Sequence, residues 1–129
     1  NLLTKLDTNG SNPEVISDLL KDNLLDFIAM DLKAPVDKYE SICRKKVDCK
    51  KIKKSVDIIK ESGLPYEFRT TFCDMLNIED LKTIREEFGV FSNHVIQKCR
   101  QDNKASNDDN GSKDMEKELK RLSFKTRGY

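Results

Sequence analysis

The sequence predicts an α/β fold in which parallel strands are joined by crossover helices. Three observations predict it. Short apolar runs recur along the chain, separated by stretches whose apolar residues fall at helical spacing. Those stretches carry start and stop signals, with Asn12-Pro13 and Asn77 at their beginnings and Gly63 and Gly89 at their ends. Residues 66–72 alternate as a strand does, with Tyr66, Phe68, Thr70 and Phe72 on one face and Glu67, Arg69 and Thr71 on the other. Strands and helices in such alternation form a parallel sheet with right-handed connections.

The elements follow in order. Leu2-Leu3-Thr4-Lys5-Leu6 reads as a strand already under way, which needs a neighbour on its open edge, so the chain is expected to be a fragment. Asn12-Pro13-Glu14 starts a helix: Asn caps, Pro fits the first position, and Glu14 suits the positive end of the dipole. Val15, Ile16, Leu19 and Leu20 form its apolar face, and it runs to about Asp22. Phe27-Ile28-Ala29-Met30-Asp31 suits a strand covered on both sides. Residues 34–43 read as a loop with a helical turn, and a helix follows from Asp48 to Ser62. After the alternating strand, Asn77 and Asp80 form a capping box that opens a helix with the stripe Leu81, Ile84 and Phe88. Phe91 to Lys98 reads as a strand and 101–112 as a mobile loop. A helix from Lys113 to Leu122 and a strand near Phe124 close the chain. The division is thus 1–100, a loop at 101–112, and a terminal helix and strand at 113–129.

Composition narrows the function. The 129 residues carry 24 basic and 23 acidic side chains, a net charge of +1, which gives no reason to expect a nucleic-acid or membrane partner. Without a membrane-length apolar stretch or a signal-like segment, the chain is expected to be soluble and cytoplasmic. Cys43, Cys49, Cys73 and Cys99 are too far apart for a zinc pair or a compact iron–sulfur motif and read as ordinary thiols.

Polar residues gather where a parallel fold builds its sites, at the C-terminal ends of strands. The first strand ends in Asp7-Thr8-Asn9-Gly10, the second in Asp31 with Lys33 beyond it, the third carries Arg69, and the fourth carries Gln97. Each has a plainer alternative: Asn9-Gly10 as a turn, Asp31 as a loop cap, Lys33 as a solvated charge, Arg69 paired internally with Glu67 or Asp31. Arg69 is the most telling, because an arginine central to an otherwise aromatic strand must find a partner.

These residues resemble a known family. Lys5-Leu6-Asp7-Thr8-Asn9-Gly10, Ala29-Met30-Asp31-Leu32-Lys33 and Glu67-Phe68-Arg69-Thr70-Thr71 are similar to the second half of radical S-adenosylmethionine (SAM) enzymes that activate glycyl-radical enzymes. The closest likeness is to activators of anaerobic ribonucleoside-triphosphate reductase, and Phe124-Lys125-Thr126-Arg127-Gly128-Tyr129 looks like that group's C-terminus. The resemblance implies the C-terminal half of a partial (β/α)6 radical SAM barrel. It implies SAM as cofactor and, in the complete family enzyme, a [4Fe–4S] cluster on a C-x3-C-x2-C loop that this chain lacks. Reductive cleavage of SAM there yields a 5′-deoxyadenosyl radical that takes hydrogen from a glycine of the partner. The partners implied are a glycyl-radical enzyme, anaerobic ribonucleotide reductase by closest likeness, and an electron donor such as flavodoxin or ferredoxin.

By the same resemblance, Asp7, Thr8, Asn9, Asp31, Lys33, Arg69 and Gln97 would line the SAM site. Asp7, Thr8, Asp31 and the carbonyl of Ala29 would hold a monovalent cation beside the SAM carboxylate. The segment Phe72-Cys73-Asp74-Met75-Leu76 departs from the apolar-proline stretch of relatives, which leaves the local loop shape open. Alone, such a chain is expected to be inert, since it has no cluster to deliver an electron. Two rival readings remain: an inert truncated interaction module, and a nucleic-acid binder using the basic run Arg44 to Lys54. The second lacks aromatic residues for stacking on bases.

Overall fold

A computed structural model describes residues 2–99 and 109–129. It contains strands β1 (Lys5–Thr8), β2 (Phe27–Asp31), β3 (Tyr66–Phe72), β4 (His94–Lys98) and β5 (Lys125–Arg127), with helices α1 (Pro13–Lys21), α2 (Val36–Cys43), α3 (Cys49–Glu61), α4 (Ile78–Phe88) and α5 (Asp109–Arg121). The strands form one sheet in the order β1-β2-β3-β4-β5, and every pairing is parallel. This is the α/β arrangement of parallel strands and crossover helices expected from the sequence. Because the strand order never reverses, right-handed crossovers carry the helices to one side of the sheet.

The register separates two faces. Leu6, Ile28, Met30, Phe68 and Ile96 lie on the face turned to the helices, and all but Leu6 are fully buried there. They form the main core with Ile16 of α1, Ile52, Val56 and Ile59 of α3, and Leu81, Ile84 and Phe88 of α4. On the other face stand Lys5, Asp7, Asp31, Glu67, Arg69, Thr71, Gln97 and Arg127, with Ala29 and Val95 between them outside that core. One sheet therefore has an oily side under its helices and a charged side without them.

Local chemistry explains the helix ends. Asn12 accepts from the Val15 N–H, with Pro13 in the first turn of α1. At α4, Asn77 and Asp80 form the reciprocal capping box, and Gly89 closes the helix at φ 68°. Lysines of α3 finish that end: Lys60 Nζ donates to the Gly89 carbonyl at 2.7 Å and Lys53 Nζ to the Phe88 carbonyl at 3.2 Å. Part of the basic run thus ties α3 to α4.

Several expectations are corrected. Leu2 and Leu3 lie outside any strand and are exposed, and β1 begins at Lys5, because pairing with β2 starts at Lys5↔Phe27. Residues 34–43 hold α2, an eight-residue helix, rather than a loop with one turn. Its Tyr39 is buried in the core, which gives the short helix an anchor. The fourth strand starts at His94 rather than Phe91, because Asn93 adopts φ 59° and breaks extended geometry. The last helix begins at Asp109 rather than Lys113. The remainder of the expected loop, 101–108, lies outside the described residues.

Candidate functional site

The charged face of the sheet carries a row of side chains near its C-terminal rim. Asp31 and Arg69 are register partners on β2 and β3, so both stand on the same face side by side. The Arg69 Nη2 lies 3.3 Å from Asp31 Oδ1 and donates to Asp7 Oδ1 at 2.9 Å, reaching from β3 across β2 to β1. The residue it passes on β2 is Ala29, the register partner of Asp7, whose small side chain leaves room for the guanidinium. Lys33 extends the row, with Nζ 3.2 Å from Asp31 Oδ2. The Arg69 side chain is 17% exposed against 58% for Asp7, so the arginine forms the sheltered centre and Asp7 the wet edge.

The loop after β1 is built by its own side chains. Thr8 Oγ1 accepts from the Gly10 N–H at 3.1 Å, and Asn9 Oδ1 accepts from the Ser11 N–H at 3.0 Å. Gly10 has φ 75°, and its carbonyl accepts from the Ser55 hydroxyl of α3 at 2.7 Å. A Cβ there would displace the end of the Met30 side chain and hold a left-handed backbone, so glycine suits the loop where it sits down on the core.

The candidate residues therefore divide. Asp7, Asp31, Lys33 and Arg69 are brought together. Thr8 pairs with Met30 and so alternates to the helix side, with its hydroxyl engaged by Gly10. Asn9 holds the turn and lines a cavity of about 750 Å³ together with Lys33, Tyr39, Thr71, Cys73 and Cys99. Gln97 pairs with Thr71 and Arg127 and opens onto a smaller recess of about 300 Å³ with those two and Gly128. For the cation set, the two carboxylates are already bridged by Arg69, and Thr8 points away from them. Among the described residues no group of three or more His, Cys, Asp or Glu side chains is placed to hold a metal ion.

The fold adds residues to the site that the sequence pattern does not single out. Tyr39 places its hydroxyl over the rim, where it accepts from the Lys33 N–H at 3.2 Å, and burial pushes its phenol far up from the ordinary value. A signal for it exists, since Val36, Tyr39 and Ile42 repeat every three residues after Pro35. Arg127 pairs with Glu67 at 2.9 Å, reaching from β5 across β4. Lys45, Lys46 and Lys51 of the basic run line the larger cavity.

On the helix side of β4, His94 is buried and held by Thr70. The Thr70 hydroxyl donates to the Leu32 carbonyl at 2.7 Å and so receives the His94 Nε2–H at 2.8 Å. Nδ1 is left without a partner, and burial, aided by the Arg85 charge, pushes the imidazole down to about 3. This histidine is a neutral core residue, separated by the sheet from the charged row.

Among known proteins, no family model matches the chain, and no solved structure shows a significant match. An alignment of 91 residues, taking in 64% of the chain, is 40% identical to a protein of Methanocaldococcus jannaschii described as "Putative glycyl-radical enzyme activating enzyme". The chain spans 38% of that relative's length. Over the greater part of its own sequence, then, the chain is similar to one segment of a longer protein named for activating glycyl-radical enzymes.

Proposed function

We propose that this chain supplies the SAM-binding, C-terminal half of the barrel of a radical SAM activase, a cytoplasmic enzyme that would install a glycyl radical on anaerobic ribonucleotide reductase. The observation that carries this reading is the row Asp7–Arg69–Asp31–Lys33 at the rim of a parallel sheet, on the face without helices. The 40% identity to a segment of a protein described as a "Putative glycyl-radical enzyme activating enzyme" supports the activase part of this reading.

The row matches the charges of SAM. The cofactor carries a carboxylate, an ammonium and a sulfonium on one short chain. Arg69 and Lys33 would receive the carboxylate, and Asp7 and Asp31 would face the two positive centres. Because Arg69 already touches both carboxylates, the carboxylates are pre-positioned before a ligand arrives, which lowers the ordering cost of binding. The same contacts put the arginine where the cation set of Asp7, Thr8, Ala29 and Asp31 would place its ion. A cation would bind only where Arg69 turns toward the SAM carboxylate and releases the aspartates. When bound beside a reduced [4Fe–4S] cluster, SAM supplies hydrogen-atom abstraction. The described cysteines do not form a ligand set for that cluster. An electron donor of the flavodoxin or ferredoxin type would serve the complete enzyme.

The reading is tested by an NMR titration of the protein with SAM. Amide shifts confined to the ends of β1 and β2, to Lys33 and to Arg69 are expected. Shifts confined to the 44–54 lysines, or none at millimolar SAM, would remove it. Anaerobic reconstitution with iron and sulfide gives a second check, since retention of a brown cluster by this chain alone contradicts the proposed division of labour.

A further inference from the structure

β3 and β4 run in register through Thr71↔Gln97 and Phe72↔Lys98, and the next residue on each is a cysteine, Cys73 and Cys99. Neighbouring parallel strands lie about 4.8 Å apart. That spacing falls within the roughly 4.4–6.8 Å between Cα atoms that a disulfide bridges. Each cysteine stands one residue beyond the last paired position of its strand, and both line the larger cavity at the C-terminal rim. Each thiol is free and half-buried. The Cys99 thiol is raised by burial first, and then by the neighbouring Cys73 and Asp74. Cys43 lines the same cavity from α2, yet no three thiols converge as metal ligands among the described residues. The geometry favours a pair over a metal centre.

We propose that Cys73 and Cys99 are a redox-active dithiol pair that closes to an intramolecular disulfide across the ends of β3 and β4. The oxidant is a low-molecular-weight disulfide. One protein thiolate attacks it, forming a mixed disulfide and releasing one small thiol. The second protein thiolate then attacks the protein sulfur of that mixed disulfide, forming the Cys73–Cys99 bond and releasing the other small thiol. Two electrons pass from the cysteines to the oxidant, and their two protons end on the released thiols. The bond staples the loop leading to α4 onto the end of β4, at the wall of the cavity. This inference does not rest on the SAM reading.

The test is oxidation of the purified protein with glutathione disulfide at graded ratios to glutathione, followed by non-reducing peptide mapping. A peptide joining Cys73 to Cys99 is expected, with the intact mass lower by two hydrogens and restored by dithiothreitol. Cys73→Ser and Cys99→Ser should each lose the cross-link and retain a glutathione adduct on the remaining thiol. Cys49→Ser should keep it. A bridge to Cys43 or Cys49 that forms first, disulfide-linked dimers alone, or stable adducts on both cysteines of the wild type would each overturn the proposal. The wild-type map decides the matter even where a variant folds poorly.

Discussion

The Arg69 guanidinium donates to the Asp7 carboxylate at 2.9 Å across a sequence separation of 62 residues, from the third strand to the first. The contact exists because register sets Arg69 beside Asp31 and because Ala29, between them and Asp7, is small. A charge pair of this kind draws together strands that have no direct hydrogen bonds to one another.

Removing the arginine should leave two carboxylates facing one another without their shared partner. Arg69→Ala is expected to lower stability by about 1–3 kcal/mol, discounted for the exposure of Asp7. Arg69→Lys should recover only part of it, since a compact ammonium does not reproduce the reach and fixed plane that set Arg69 Nη2 against both acids. Urea unfolding of the two variants measures the difference, and Asp31→Asn in the Arg69→Ala background should restore part of the loss by removing the repulsion.

Ala29 carries a steric prediction. Ala29→Leu puts a branched side chain in the path of the guanidinium and should cost about 1–3 kcal/mol by overpacking. The discriminating readout is a double-mutant cycle with Asp7→Asn. The coupling between Arg69 and Asp7 should be measurable with alanine at 29 and vanish with leucine.

A side chain at Gly10 is costly, first for the backbone. Gly10→Ala must adopt φ 75° and meet the Met30 side chain, so a loss of about 1–3 kcal/mol is expected from the clash, with the backbone strain added. Met30→Ala in the same chain should relieve the clash but not the strain. A thermal melt of the double variant that shows no relief would contradict the contact.

His94 makes stability depend on pH. Its folded-state value, pushed down to about 3, lies below the ordinary 6.5, so between these the unfolded chain binds more protons than the folded one. The contribution is complete above pH 6.5 and is lost progressively as pH falls toward 3. Across that window stability falls by at most about 1.4 kcal/mol for each step of one in pH. Urea midpoints over the same range should slope for the wild type, and the slope should flatten in His94→Gln.

Strand parity makes much of this legible in the sequence. The alternation of 66–72 assigns Arg69 and Glu67 to the face opposite the aromatics, and the register agrees. The same parity sets Asp7 and Thr8 on opposite faces, which grouping them as joint ligands overlooks. The short helix at Val36–Cys43 is marked only by the three-residue spacing of Val36, Tyr39 and Ile42, too few positions to set it apart from a loop, and the burial of Tyr39 follows from the core it enters. The Glu67–Arg127 pair and the cysteine-lined cavity depend on which strands end up adjacent, information that no local pattern holds.

Equilibrium dialysis of SAM against the wild-type protein and against Arg69→Ala and Asp31→Asn, each shown to be folded by circular dichroism, tests the central claim most directly. Saturable binding by the wild type, weakened tenfold or more in both variants, is the predicted result. Binding of equal strength in all three proteins, or none by the folded wild type, would contradict the assignment of the charged row to the cofactor.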